Sequence, residues 1–221
     1  MSNLHEEVYH INHPKSKMEK CFVNHSAGYL YINISKNAST SLRSSILFEE
    51  YAPYTLFDAR DYIKFVVFRN PFDRVVSSFM ELKKLRADGP CNITLSSEWY
   101  SKKDLQKSFE EFLYFIEDNF YDRHVFPQIT FLEHKGVSLS DMTEILLFDT
   151  LEVDYAKLIR KYPKITSKSK KLQHKRKSNN TQVEILKKMI NSNTDIYEHI
   201  KRIYTKDCEI YDNLNKTRIT T

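Results

Sequence analysis

The chain has 221 residues, 41% hydrophobic and 29% charged, which suits one globular domain with a sizeable core and excludes a disordered or collagen-like chain. A formal charge of +5 suits an anionic ligand but is too small to demand a nucleic acid, and none is expected as a partner. Cys21, Cys91 and Cys208 are far apart, odd in number and without metal-ligand spacing; with no apolar leader and no apolar run near ~20 residues, they point to reduced thiols in a cytoplasmic protein without a membrane span.

Residues 1–20 are polar and aperiodic and read as a flexible arm, ahead of a single domain over residues 21–215 and a short tail at 216–221. Residues 28–34 (GYLYINI) are β-branched and aromatic and predict a buried strand. Residues 40–51 place Leu42, Ile46 and Leu47 at helical spacing. Residues 62–68 (YIKFVVF) predict a second strand, apolar enough for the middle of a parallel sheet. Asn70, Pro71 and Asp73 then supply an N-cap, an N1 proline and an acid at N3, with Val75, Val76, Phe79 and Leu82 as the core stripe of the helix they start.

Residues 87–105 are polar around Gly89-Pro90 and predict a surface insertion. Residues 108–120 predict an amphipathic helix capped by Ser108, residues 144–149 (EILLFD) a third strand, and residues 154–162 a helix. A basic loop spans 164–178, and helices follow near 181–192 and 195–214. Strands alternating with helices predict an α/β fold, a P-loop-like three-layer α/β/α arrangement on a central, mainly parallel sheet. Ligands of such sheets bind beyond the carboxyl ends of the strands, where the Lys36 and Arg69 turns both fall.

Residues 35–41 (SKNASTS) join a strand to a helix, so the first helical N–H groups point outward with the helix dipole behind them. Lys36 adds a charge on a flexible stem, Ser39, Thr40 and Ser41 add hydroxyls, and the small Ala38 lets an anion approach the backbone. A triphosphate cradle reads G-x-x-x-x-G-K-[ST]; here the lysine comes first, no glycine wraps a polyphosphate, and no acidic partner for magnesium stands out. The segment suits one anionic group held without a metal, and a capped helix beside a surface lysine is the structural alternative. Arg69 at a strand end and Ser77 on the next helix could clamp a second phosphate, or serve as an ion pair and a small packing residue.

Taken together, SKNASTSL and VVFRNPFDRVVSSF resemble the 5′-phosphosulfate loop and 3′-phosphate motif of the sulfotransferases that use 3′-phosphoadenosine 5′-phosphosulfate. The wording is similar to the carbohydrate branch that includes heparan sulfate 2-O-sulfotransferase and the chondroitin and HNK-1 enzymes. DRHVFPQ (122–128), EILLFDTLEVDYAKL, HKRKS (174–178) and IYTKDCEIY resemble further segments of that branch, and Ser35 stands where the family usually has proline. The resemblance implies that Lys36, Asn37, Ala38, Ser39, Thr40 and Ser41 hold the 5′-phosphosulfate. It implies that Arg69 and Ser77 grip the 3′-phosphate, and that Arg176 and Lys177 close over the adenosine end. The donor nucleotide would be a co-substrate used without a metal, and the acceptor a glycan or another hydroxyl compound.

Sulfuryl transfer to a hydroxyl needs a proton acceptor. His124 is the first choice, because an imidazole titrates near neutrality and this one lies in DRHVFPQ. Glu49 and Glu50, read at the end of the first helix, are its main rivals, and His134, Asp58 and Asp61 complete the set. Two other classes stay open: a P-loop kinase or triphosphatase-like phosphotransferase, and a non-catalytic protein that binds nucleotides or polyanions.

Overall fold

The computed structural model describes residues 20–53, 61–87, 99–118, 122–169, 171–173 and 180–219. Five strands form one sheet: β1 (Lys20–Asn24), β2 (Tyr29–Ile32), β3 (Glu50–Pro53), β4 (Ile63–Phe68) and β5 (Glu144–Leu147), in the order β3-β1-β2-β4-β5. β2, β4 and β5 run parallel, with Tyr31 opposite Phe65 and Val66 opposite Ile145. β1 pairs antiparallel with both β2 and β3. The three strands expected from sequence form the parallel part, and the other two make the sheet mixed. Parallel neighbours need a long crossover, whereas β1 returns onto β2 through a tight turn. Gly28 closes that turn at φ +65°, a left-handed conformation that costs glycine little.

Eight described helices follow in chain order: α1 (Ser39–Ser45), α2 (Pro71–Ala87), α3 (Leu105–Asp118), α4 (Gln128–Glu133), α5 (Leu151–Lys161), α6 (Asn180–Ser192), α7 (Thr194–Ile203) and α8 (Thr205–Ile219). Alternating residues of the strands face opposite ways. Leu30, Ile32, Val66 and Phe68 pack with Phe131 and Leu132 of α4 and Tyr211 of α8. Tyr29, Tyr31, Phe65 and Val67 pack with Leu42 of α1 and Tyr155 and Leu158 of α5. The result is the expected three layers. A further core joins α2, α3, α6 and α7 around Phe79, whose ring lies 5.6 Å from Trp99, 5.2 Å from Phe109 and 5.3 Å from Phe112.

Three local expectations change. α1 stops six residues before the expected Tyr51, because Ile46 turns extended (φ −113°, ψ 143°) and bridges to Ser167. Ile46 still reaches the core, from extended backbone, while Leu47 is exposed. The cap of α3 is Asp104, whose carboxylate accepts the Lys107 N–H at 3.0 Å; Ser108 is buried one turn in, where its hydroxyl donates to the Trp99 carbonyl. Residues 216–219, expected in a tail, continue α8, and Arg218 donates to Asp154 Oδ2 at 2.6 Å and to the Ile145 carbonyl at 2.8 Å. Among the described residues no helix is long and apolar enough to cross a membrane.

Candidate functional site

β2, β4 and β5 share one direction, so their carboxyl ends meet on one edge. Residues 33–38 leave β2 there, Arg69 follows β4, and Phe148 follows β5. The Arg69 guanidinium lies over the Phe148 ring, 4.1 Å from its centroid, and its Nη1 donates to the Lys36 carbonyl at 3.0 Å. The two stretches singled out in the sequence are thus in direct contact.

The loop replaces glycine with strain. Lys36 and Ala38 both take left-handed conformations, at φ 69° and 62°, a cost of order 1–3 kcal/mol each for non-glycine residues. Buried bonds hold them there. The Asn37 side chain faces inward, donating to the Val67 carbonyl at 2.7 Å and to Gln128 Oε1 at 2.6 Å. Tyr31 donates its hydroxyl to the Asn37 carbonyl at 3.2 Å. Ser39 turns its hydroxyl back to Asn33 and to the Ile34 carbonyl. Ala38 is the N-cap of α1 and has no side chain to cap it, so the first turn at Ser39, Thr40 and Ser41 keeps outward N–H groups. Alternating hand along a loop gathers such N–H groups into an anion-binding concavity.

α2 braces this loop. Arg74 is buried and donates Nε to the Ser35 carbonyl at 3.1 Å, and Glu81 lies 3.7 Å from Lys36 Nζ. Ser77 is three residues after Arg74 and four before Glu81, which puts it on the face that meets the loop. Burial pushes the Arg69 guanidinium down to about 10, with Asp73 opposing, so it stays a cation. Burial likewise lowers Arg74, opposed by Tyr204 and Asp207, and raises the Asp207 carboxyl against the pull of Arg74 and two backbone N–H groups. Asn37 Oδ1, Arg69 Nε and Arg74 Nη2 are buried without a hydrogen-bond partner. Each orphan costs about 1–3 kcal/mol, and all three sit at this one end of the sheet.

His124 joins the same face of α2, its carbonyl accepting the Ser78 hydroxyl at 2.6 Å. Asp122 Oδ1 lies 2.6 Å from His124 Nδ1 and also accepts the His124 N–H at 2.7 Å. Burial alone would raise the Asp122 carboxyl, but its bonds to His124 and the nearby Arg123 outweigh burial and hold it below its ordinary value. An ionised carboxylate only accepts, so Nδ1 carries the proton and Nε2 of the neutral ring is the free base.

The rivals lie elsewhere. Glu49 and Glu50 do not end a helix: Glu49 is in a loop and Glu50 opens β3, beside His25 at the amino end of the parallel strands, because α1 stops early. Asp61 is exposed just before β4, at that same end, and His134 is exposed at the end of α4. Asp58, Arg176 and Lys177 lie outside the described residues. Sequence reasoning missed Arg74, Glu81 and Asp207. The spacing of Arg74, Ser77 and Glu81 was a readable helix face, whereas Asp207 is drawn in by tertiary contact alone.

The family model described as the sulfotransferase family matches residues 48–212, well over half of the chain. That span contains Arg69, Ser77, His124 and Asp207 and begins after the Lys36 loop. No curated protein and no solved structure matches.

Proposed function

The chain belongs to the sulfotransferase family, and on that premise we propose that it moves a sulfuryl group from 3′-phosphoadenosine 5′-phosphosulfate to a carbohydrate hydroxyl. The observation that carries the donor assignment is the 3.0 Å bond from Arg69 Nη1 to the Lys36 carbonyl. It sets two cationic turns side by side at the edge where parallel sheets bind ligands. A nucleotide with separate 5′ and 3′ phosphates needs two such grips. The strained loop with Lys36 takes the 5′-phosphosulfate, and Arg69, with Ser77 on the adjoining helix face, takes the 3′-phosphate.

In this reading His124 Nε2 takes the proton from the acceptor hydroxyl as its oxygen bonds to sulfur. The bond from sulfur to the 5′-phosphate oxygen breaks, and the electron pair stays on that oxygen. Lys36 and the loop N–H groups neutralise the charge gathering there, a preorganised stabilisation of the transition state. Asp122 keeps the imidazole in the tautomer this requires. The carbohydrate acceptor rests on the resemblance of the motifs to the carbohydrate branch.

The test is incubation with isotopically sulfur-labelled donor and a panel of glycan and small hydroxyl acceptors, read by mass spectrometry without added metal. Labelled product from a glycan, lost in His124→Gln while adenosine 3′,5′-bisphosphate still binds, is expected. Magnesium-dependent transfer of phosphate from a triphosphate would instead assign a phosphotransferase. Nucleotide binding without any product would leave a binding protein.

A further inference from the structure

Gln128 opens α4 and is fully buried. Its Oε1 accepts from Asn37 Nδ2 at 2.6 Å and from the Arg69 N–H at 2.9 Å, and its Nε2 donates to the Arg69 carbonyl at 2.9 Å. Its own N–H donates to Asp207 Oδ2 at 2.6 Å, and the Ile129 N–H donates to Oδ1 at 3.0 Å. These partners are 91, 59 and 79 residues away along the chain. A buried amide that served its own turn would bond within a few residues. This one ties the loop after β2 to the turn after β4, while the backbone N–H groups of Gln128 and Ile129 tie the start of α4 to α8.

We propose that Gln128 is a positioning residue that sets the separation of the 5′-phosphosulfate grip from the 3′-phosphate grip. The preference for a 3′-phosphorylated nucleotide then depends on a side chain that touches neither phosphate. The inference rests on the donor reading above and adds to it. The loop and the turn each carry a strained or orphaned group: Lys36 and Ala38 at positive φ, and Arg69 Nε buried without a partner. Either could relax by moving away from the other. The contacts of Arg69 with Lys36 and Phe148 would follow such a movement, because they lie on its flexible side chain, whereas Gln128 holds the backbone N–H and C=O of Arg69 and, on the loop side, the buried Asn37 side chain. The Gln128 amide, acting with the Asn37 bond to the Val67 carbonyl, sets how far apart the two turns stand, and a ligand with phosphates at a fixed spacing reports that distance.

The decisive variant is Gln128→Met, which keeps length and volume and removes the polar atoms. Hydrogen–deuterium exchange of the ligand-free protein should quicken about tenfold in peptides covering both 69–72, where the Arg69 backbone loses its partner, and 34–38, where the buried Asn37 side chain that holds the loop loses one of its two acceptors. Exchange in α3 should not change. By calorimetry, the advantage of adenosine 3′,5′-bisphosphate over adenosine 5′-phosphate should shrink about tenfold, with the monophosphate affinity held within about threefold. Faster exchange in one turn or neither, or equal weakening of both nucleotides, overturns the proposal. If the unaltered protein binds the two nucleotides equally, the donor reading fails, and the exchange data alone decide whether Gln128 joins the turns.

Gln128→Glu covers the case in which the first variant does not fold. It keeps the acceptor bonds and loses the donor to the Arg69 carbonyl while ionised. Burial beside Asp207 favours its neutral form, which regains an O–H donor. The bisphosphate advantage, taken relative to the unaltered protein at each pH, should recover as pH falls from about 8 to about 6. A ratio that stays flat across that range overturns the proposal.

Discussion

His25, Glu49, Glu50 and Tyr62 gather at the amino end of the parallel strands, and Lys36, Arg69, Arg74 and Gln128 gather at the carboxyl end. Both are polar clusters on the edge of one sheet. At the amino end Glu49 is exposed and accepts the His25 and Ser26 N–H groups, and the His25 ring is bonded to Glu50 and Tyr62. The turn there is closed by a glycine, so no strain is held. At the carboxyl end Arg74 and Asn37 are buried, Asn37 Oδ1, Arg69 Nε and Arg74 Nη2 lack partners, and two non-glycine residues are left-handed. A chain that could satisfy its polar groups at one end has left them costly at the other. Polar groups collect at many surfaces, but uncompensated cost collects where a ligand is handled.

The contrast breaks most sharply through Lys36. Lys36→Ala is expected to lower sulfuryl transfer by at least ~100-fold, as for a lost transition-state charge, with adenosine 3′,5′-bisphosphate binding reduced far less. Glu50→Gln at the other end should leave turnover unchanged in the same labelled-donor assay. Equal losses from the two variants would erase the distinction between the ends.

Arg74→Met tests whether the carboxyl end is held by buried charge. The methionine keeps the apolar stem, removes the Nε bond to the Ser35 carbonyl and takes away a charge that opposes the neutral form of Asp207. A stability loss of about 1–3 kcal/mol by urea unfolding is expected, while Glu50→Gln should not move the midpoint. A neutral Arg74→Met would mean that packing alone supports the loop.

Asp122→Asn sharpens the comparison through pH. The folded value of Asp122 is depressed, so the unfolded chain takes up the proton first. Its contribution to stability is full above the ordinary aspartate value of about 3.9 and is lost as pH falls through the lower folded value. The variant should lose less stability between about pH 6 and pH 3 than the unaltered protein, by urea midpoint. Its turnover should fall about tenfold or more, because the amide no longer demands the tautomer that frees Nε2.

The parallel strands, α2 and the contact-forming turns after β2 and β4 were legible because each carries its own local signal: apolar runs, an Asn-Pro-x-Asp start, and small residues at a strand end. β1 and β3 were not. They are short strands of five and four residues defined by pairing; β1 begins where a polar stretch ends, and β3 begins on Glu50 and Tyr51, read as the end of a helix. Ile46 misled for a related reason: it keeps helical spacing from Leu42 yet packs from a β-bridge. In the candidate site, Lys36, Arg69 and His124 were singled out by type and position. The inward turn of Asn37, the reach of Arg74 to Ser35 and the role of Asp207 depend on segments that meet only in the folded state.

Asp207 sits on α8, far along the chain from the loop whose spacing it steadies through Gln128. During synthesis the loop and the Arg69 turn leave the ribosome well before α8 does. In that interval the amide that joins the two turns has no carboxylate to anchor its backbone. The candidate site is therefore a late product of assembly, complete only when α8 docks. A nascent or truncated chain lacking that helix would carry every residue of the two motifs but not the carboxylate that anchors the start of α4 beneath them.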